Sequence, residues 1–464
     1  MKKTTYCFIL IALLILSSAC GVSPPATLDY TAGSEILSSV STNPTTQATT
    51  GQTSASTSIA TTAQSTATTA TKTSSETSSA VSFSAITAKT SSNAVTETVT
   101  QTQKTTNISS VNYSANALSE AKKTVNKMSL DEKIWQMFFL SPEKFTGESS
   151  HTIAGKASKD ALKGKPVGGL LFHAYNFVSP AQTKKLLSDL QSYSTIPLFL
   201  SVDEEGGGVA RIGNNALMNV PKVPSMSSIG KTKEPTKAYG SAKTIAGYLT
   251  KLGFNLDFAP VADVITNPDN KVVLTRSFGK DAQLVSQMVE QSVKGFQKNG
   301  ISATLKHFPG HGGTASDSHK GYTVTKRTLE QMRVEEFLPF KKGIAAGVDF
   351  VMTAHITATK TDDSGLPASL SKFFITDILK NELGFKKLVI TDSLGMGAIT
   401  KEFSSGKACV IAIEAGVDIL LNPASADNAF TAVKSAVKSG RLTEARIDES
   451  VVKIIAAKID RGVM

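Results

Sequence analysis

Eight short apolar runs in the C-terminal three-quarters of the chain constrain its fold more than any other feature. They are QMFFLS from Gln136, GGLLFH from Gly168, PLFLSVD from Pro197 and NLDFAP from Asn255. SATLKH from Ser302, DFVMTAH from Asp349, KLVITD from Lys387 and DILLNP from Asp418 complete the set. Each run is continuously apolar rather than alternating, as expected of a parallel strand buried on both faces. Residues 181–192 and 282–299, lying between runs, carry apolar side chains near 3.6-residue spacing and predict helices. Ser129-Leu-Asp-Glu132 predicts a capping box at a helix start. Eight strand–helix units predict an α/β fold, a (β/α)8 TIM-type barrel forming a single domain over 116–464.

The rest of the chain has a different composition. Lys2 and Lys3 precede the apolar run Cys7–Leu16, which is shorter than the roughly 20 residues a membrane span needs. Ser17, Ser18, Ala19 and Cys20 follow. A basic start, a short apolar stretch and small residues predict a secretory signal over 1–20. It resembles a bacterial lipoprotein signal, which implies lipidation of Cys20 and a protein held outside the cytoplasm on the membrane. Ser17 departs from that pattern, in which a branched apolar residue usually stands three before the cysteine; ordinary cleavage and free secretion is the alternative. From Gly21 to Ala115, 45 of 95 residues are Ser or Thr. So few large apolar groups cannot offset the entropy of ordering a backbone, which predicts a disordered linker over 21–115.

The basic surplus falls in the barrel, where residues 116–464 carry +10 of the chain's +11. Such a surface attracts anionic polymers such as a cell wall. The lysines and arginines form no dense run, so no nucleic-acid partner is expected. Three cysteines without a CxxC pair exclude a disulfide scaffold and a structural zinc site.

Polar residues collect where the predicted strands end. Asp203, His307, His355 and Asp392 each close a run, and the C-terminal rim of a barrel is where its chemistry sits. His307 and His311 are four apart, a spacing that on one helix face suits a metal. Pro309 and Gly310 between them oppose a helix, so no metal and no cofactor is expected. Asp317 and His319 stand two apart on a Gly/Ser/Thr-rich stretch. A carboxylate beside an imidazole fixes its tautomer and raises its basicity, which suits proton transfer near neutral pH.

The segment Lys306-His-Phe-Pro-Gly-His-Gly, followed by Asp317-Ser-His319, resembles the signature of the β-N-acetylglucosaminidases of glycoside hydrolase family 3. Ser201-Val-Asp203-Glu-Glu-Gly-Gly-Gly-Val-Ala-Arg211 resembles the family's D-Q-E-G-G-R-V-x-R, and Thr275-Arg-Ser-Phe-Gly279 its R-S-F-G. Asn255–Asp263 and Ile390–Met396 resemble two further stretches, in the family's order. The likeness runs from about Asp131 to the C-terminus.

The resemblance implies that Asp392 is the nucleophile of a retaining reaction and His319 the general acid/base, held by Asp317. It implies that Asp203, Arg211, Arg276, Lys306 and His307 bind the sugar. The implied activity is removal of terminal β-linked N-acetylglucosamine from peptidoglycan fragments, muropeptides or related glycans. Action on another β-sugar such as glucose, phosphorolysis, and a catalytically silent wall-binding lipoprotein are the alternatives. Glu204 stands where the family has glutamine, and Gly208 where it has arginine. Among the other residues, Trp135 is expected in the core of the first strand region and Cys409 as a buried thiol. Gly206–Gly208 is expected as a flexible turn. Ser369-Leu-Ser-Lys372 is a chance S-x-x-K, and His355 lines the pocket or supports it.

Overall fold

The structure, a computed structural model, describes residues 113–314, 321 and 323–464. The leader with Cys20, the Ser/Thr-rich stretch up to residue 112, and Asp317 with His319 lie outside the described residues.

Each apolar run contributes one strand to a single eight-stranded parallel sheet. In chain order these are β1 Phe138–Leu140, β2 Gly169–Phe172, β3 Phe199–Val202 and β4 Leu256–Asp257. Then come β5 Ser302–Phe308, β6 Phe350–Thr353, β7 Leu388–Thr391 and β8 Leu420–Leu421. Neighbours in sequence are neighbours in space. β8 pairs with β1 through Phe138 and Leu420, and the Ile390–Ile419 bridge joins it to β7, so the barrel closes. Inside, Phe199 lies 5.9 Å from Phe139 and 5.2 Å from Phe350, ring centre to ring centre, and all three are fully buried. Burial of each such ring stabilises by roughly 2–3 kcal/mol.

Helices Pro180–Tyr193 and Ala282–Gln297 form where periodicity predicts them. The second stops two residues early, in a turn that ends with Gly300 at φ +84°. Ser129 and Glu132 form the expected capping box, with the Ser129 N–H donating to Glu132 at 2.8 Å. That helix runs to Gln136, so Gln136 and Trp135 belong to a helix rather than to the first strand. Trp135 is nevertheless core, stacked on Phe430 at 4.5 Å. β4 is only two residues long, and the run ends at Pro260, which has no N–H to continue a ladder. Among the described residues Cys409 is the one free cysteine; it is buried, and burial pushes its thiol well up.

Ser114 caps the first described helix, Ala115–Val125, and ties it to the last, Glu444–Asp460. Its N–H and hydroxyl both donate to Asp460, at 2.9 and 2.6 Å. Tyr113 packs under the Lys387 ammonium, 5.8 Å from the ring centre, and Lys387 pairs with Asp349 at 2.9 Å. Lys387 and Asp349 immediately precede β7 and β6, so the chain joins the barrel at the strands' N-terminal end. Among the described residues no helix is long and apolar enough to cross a membrane.

Candidate active site

At the opposite end, the strands' C-terminal rim encloses a cavity of about 290 Å³. Asp203, Arg211, Arg276, Lys306, His307 and Asp392 all line it, from four stretches of chain. Asp317, His319 and Cys20 lie outside the described residues.

Asp203 follows β3, and the chain then folds back as a hairpin, Glu204–Gly206 against Val209–Ala210. Extended backbone alternates side chains, so Asp203 and Glu205 face the cavity and Glu204 faces away. Glu204 accepts from Ile212 N–H at 2.7 Å, Gly213 N–H at 2.8 Å and the Tyr248 hydroxyl at 2.6 Å. The Gly206–Gly208 turn is closely packed at Gly206 and Gly207 and open at Gly208. Gly207 has φ +60°, and a Cβ there would sit 2.6 Å from the Ser225 Cα.

The cavity's inner end is an ion-pair lattice. Lys306, 2% exposed, places its ammonium 2.7 Å from both Asp203 Oδ1 and Glu205 Oε1. Arg276 grips Glu205 through two bonds, Nε at 2.8 Å and Nη2 at 2.7 Å. Arg211 lies 3.8 Å from Asp203, and its Nε has no hydrogen-bond partner among the described residues. Burial works to raise the Asp203 carboxyl, but Lys306 and Arg211 overcome it and hold it well below the usual carboxylate range. Glu205 is likewise lowered, against burial, by Arg276 and Lys306. Burial opposes charge on Lys306 as well, yet its two carboxylate partners raise it, so it stays charged.

His307 joins this lattice through Arg276 and is held from its other side by Asp263. Its Nδ1 lies 2.8 Å from Asp263 Oδ2, and its Nε2 lies 3.3 Å from Arg276 Nη2. Arginine can only donate. The network therefore assigns the proton to Nδ1 and the acceptor pair to Nε2. Asp263 also accepts from the His307 and His311 backbone N–H groups, at 3.2 and 2.6 Å. The His311 ring turns to Thr314 at 2.9 Å. Burial, with His307 beside it, pushes His311 down to about 4. Lys306 and His307 both reach the cavity although adjacent, because β5 shifts register against β6 between Leu305 and Phe308.

Asp392 follows β7, four strands around the barrel from Asp203. Its N–H donates to the Thr353 carbonyl at 2.9 Å, and its Oδ1 accepts from Ser393 N–H at 2.7 Å. The Ser393 carbonyl accepts from His355 Nε2 at 2.9 Å, and Ser369 Oγ lies 2.7 Å from His355 Nδ1. His355 thus braces the residue after Asp392. Phe258, Met352 and Met396 give the cavity apolar walls.

Glu205, Asp263, His173 and Asn422 are site residues that motif reading passed over. Glu205 had a signal: two residues after Asp203 in an extended run, it shares the same face. Asn422 had none, since its role rests on a φ of +48° and on accepting Ser141 N–H across the barrel seam.

A closed parallel barrel with carboxylates, arginines and a buried lysine around one rim cavity is the frame of a barrel glycosidase. Residues 129–457 match the glycosyl hydrolase family 3 N-terminal domain, and the chain belongs to that family. It is 32% identical over 317 residues to a β-hexosaminidase A of Pseudoalteromonas piscicida, covering 63% of this chain and 53% of that one. It is also 32% identical to a β-hexosaminidase of Stenotrophomonas maltophilia, covering 60% of this chain and 82% of the relative. Among solved structures, a family 3 β-N-acetylglucosaminidase from a Paenibacillus species superposes with a TM-score of 0.68 at 36% identity. That match covers 72% of this chain and 63% of the other. The chain thus spans only about half to two-thirds of two of these relatives.

Proposed function

We propose that the protein is an exo-acting, retaining glycosidase that removes terminal β-linked N-acetylglucosamine through a covalent glycosyl-enzyme. The observation that carries this reading is the position of Asp392, in one enclosed cavity with the Asp203–Lys306–Glu205–Arg276 lattice. The hexosaminidases to which the chain is similar support the choice of sugar.

In this mechanism Asp203, Arg211, Arg276, Lys306 and His307 hold the sugar's hydroxyls and N-acetyl group. Charged donors and acceptors give such bonds direction and strength. Asp392 attacks the anomeric carbon as the bond to the leaving oxygen breaks, and His319, oriented by Asp317, gives that oxygen its proton. Water then attacks the same carbon, releases Asp392 and returns a proton to His319. A carboxylate under a carbon that becomes positive stabilises that transition state.

The substrates are peptidoglycan fragments or related glycans. Lipidation at Cys20 would hold the protein at the outer face of the membrane, with residues 21–115 as the linker. The test is parallel assay on 4-nitrophenyl N-acetyl-β-glucosaminide and the matching glucoside. Preference for the N-acetylated sugar supports the reading, and equal or inverted preference rejects it. Release of labelled protein by a lipoprotein-specific lipase, lost in Cys20→Ser, tests the anchor.

A further inference from the structure

The hairpin after β3 carries two cavity groups that are held very differently. Asp203 is gripped by the Lys306 ammonium at 2.7 Å. Arg211 has no such grip. Among the described residues its side chain pairs only with Asp203, at 3.8 Å, and its Nε has no hydrogen-bond partner. No close bond along the side chain fixes the guanidinium, so its place is inherited from the backbone that carries it.

That backbone is held from behind. The Arg211 N–H donates to the Asp203 carbonyl at 3.3 Å. The next two N–H groups, of Ile212 and Gly213, donate to the two oxygens of Glu204 at 2.7 and 2.8 Å. Glycine permits this approach, since a Cβ at Gly213 would sit 2.8 Å from Glu204 Oε1. Tyr248, on the helix Pro235–Leu252, donates its hydroxyl to the same oxygen at 2.6 Å. Asp257, at the end of β4, accepts the Glu204 N–H at 2.9 Å. Glu204 is fully buried, and it ties the segment after Arg211 to β4 and to that helix.

The donors select a carboxylate. Three N–H and O–H groups aim at two oxygens, and an ionised carboxylate only accepts. Burial works to raise the Glu204 carboxyl, and these three donors work against it. Glutamine, the residue of the family pattern at this position, would turn its NH2 group toward one of the two backbone N–H groups whichever way the amide lay. That N–H would lose its acceptor.

We propose that Glu204 is a positioning residue for sugar binding: its carboxylate holds the Ile212–Gly213 backbone and so sets Arg211 at the cavity. The proposal rests on the glycosidase reading above and adds to it a residue that touches no sugar. Arg211 meets the sugar before and during the reaction alike, so the loss falls on affinity rather than on the chemical step.

The test is kinetics of the full chain on 4-nitrophenyl N-acetyl-β-glucosaminide. Glu204→Gln is expected to raise KM about tenfold and to leave kcat within about twofold, the loss of one hydrogen bond to a charged group. Tyr248→Phe, which keeps both backbone bonds, raises KM about threefold. In an Arg211→Ala background Glu204→Gln adds less than about twofold, because the group it positions is gone. General loosening of the hairpin would raise KM equally in both backgrounds, since Asp203 stands on the same hairpin. That result, a fall in kcat at constant KM, or an unchanged KM in Glu204→Gln overturns the proposal. If Glu204→Gln does not fold, Tyr248→Phe in the two backgrounds gives the same decision. A wild type that releases no nitrophenol overturns the glycosidase reading instead. Calorimetry with N-acetylglucosamine then decides the role of Glu204 separately: no binding by the wild type, or equal affinity in Glu204→Gln, rejects it.

Discussion

The Lys306 ammonium lies 2.7 Å from Asp203 Oδ1 and joins β5 to the end of β3 across the barrel mouth, between residues 103 positions apart. The same ammonium serves Glu205. Removing one member of a buried ion pair leaves its partner uncompensated, at a cost of about 3–5 kcal/mol. Asp203 is a fifth exposed and screened accordingly, so Lys306→Met is expected to destabilise by about 3 kcal/mol. Urea unfolding of wild type and variant measures this. An unchanged midpoint would mean the lattice does not hold the rim.

Asp392→Gly is expected to lower kcat on nitrophenyl N-acetylglucosaminide by about 10³-fold or more. Added azide should restore turnover and yield the α-glycosyl azide, because azide enters from the face the carboxylate has left. A β-configured product, or no loss of rate, removes Asp392 from the nucleophile's role.

Asp263→Asn tests the assigned tautomer of His307. The carboxylate only accepts, whereas an amide can turn a donor toward Nδ1 and displace its proton. A loss of kcat/KM between about tenfold and a hundredfold is expected, with little change in the pH of the optimum. Nitrogen chemical shifts of the labelled imidazole report the tautomer directly. An Nδ1 that carries no proton in the wild type contradicts the geometry.

His311 makes stability depend on pH. Its folded value of about 4 lies below the ordinary 6.5, so between those values the unfolded chain binds more protons. The stability it contributes is complete above pH 6.5 and declines as pH falls toward 4, by about 3 kcal/mol in all. His311→Gln should flatten that part of the curve. Denaturant titrations at pH 7.5 and 4.5 on both proteins give the difference, and parallel curves would contradict the assignment.

Gly207→Ala is expected to destabilise by about 2 kcal/mol or more, because φ +60° and the Ser225 backbone both oppose a side chain. The hairpin that presents Asp203 and Glu205 shifts with it, so KM should rise together with the loss of stability. A variant with wild-type KM would show that the turn does not position those carboxylates.

The barrel was legible because strands buried on both faces leave unbroken apolar runs, and eight of them leave little choice of fold. Their edges were less legible. Gln136 reads as part of an apolar run, yet its amide carbonyl accepts from the buried Lys458 and its N–H group donates to Pro166, which places it at a helix end instead. Glu204 and Glu205 are identical neighbours with opposite surroundings, and only the direction of the hairpin separates them. His307 and His311 suggest a metal by spacing alone. Their shared partner, Asp263, lies 44 residues from His307 and comes into view only in three dimensions. His355 was undecided for a similar reason, since Ser369 and the Ser393 carbonyl become its neighbours only when β6 and β7 lie side by side.

Tyr113 packs beside Lys387 where β7 starts, whereas Asp392 stands where that strand finishes. The polypeptide therefore joins its barrel at the pole facing away from the reaction chamber. A probe attached at Tyr113 or Lys387 would therefore report on the barrel's far pole without entering the space that Asp203 and Asp392 line.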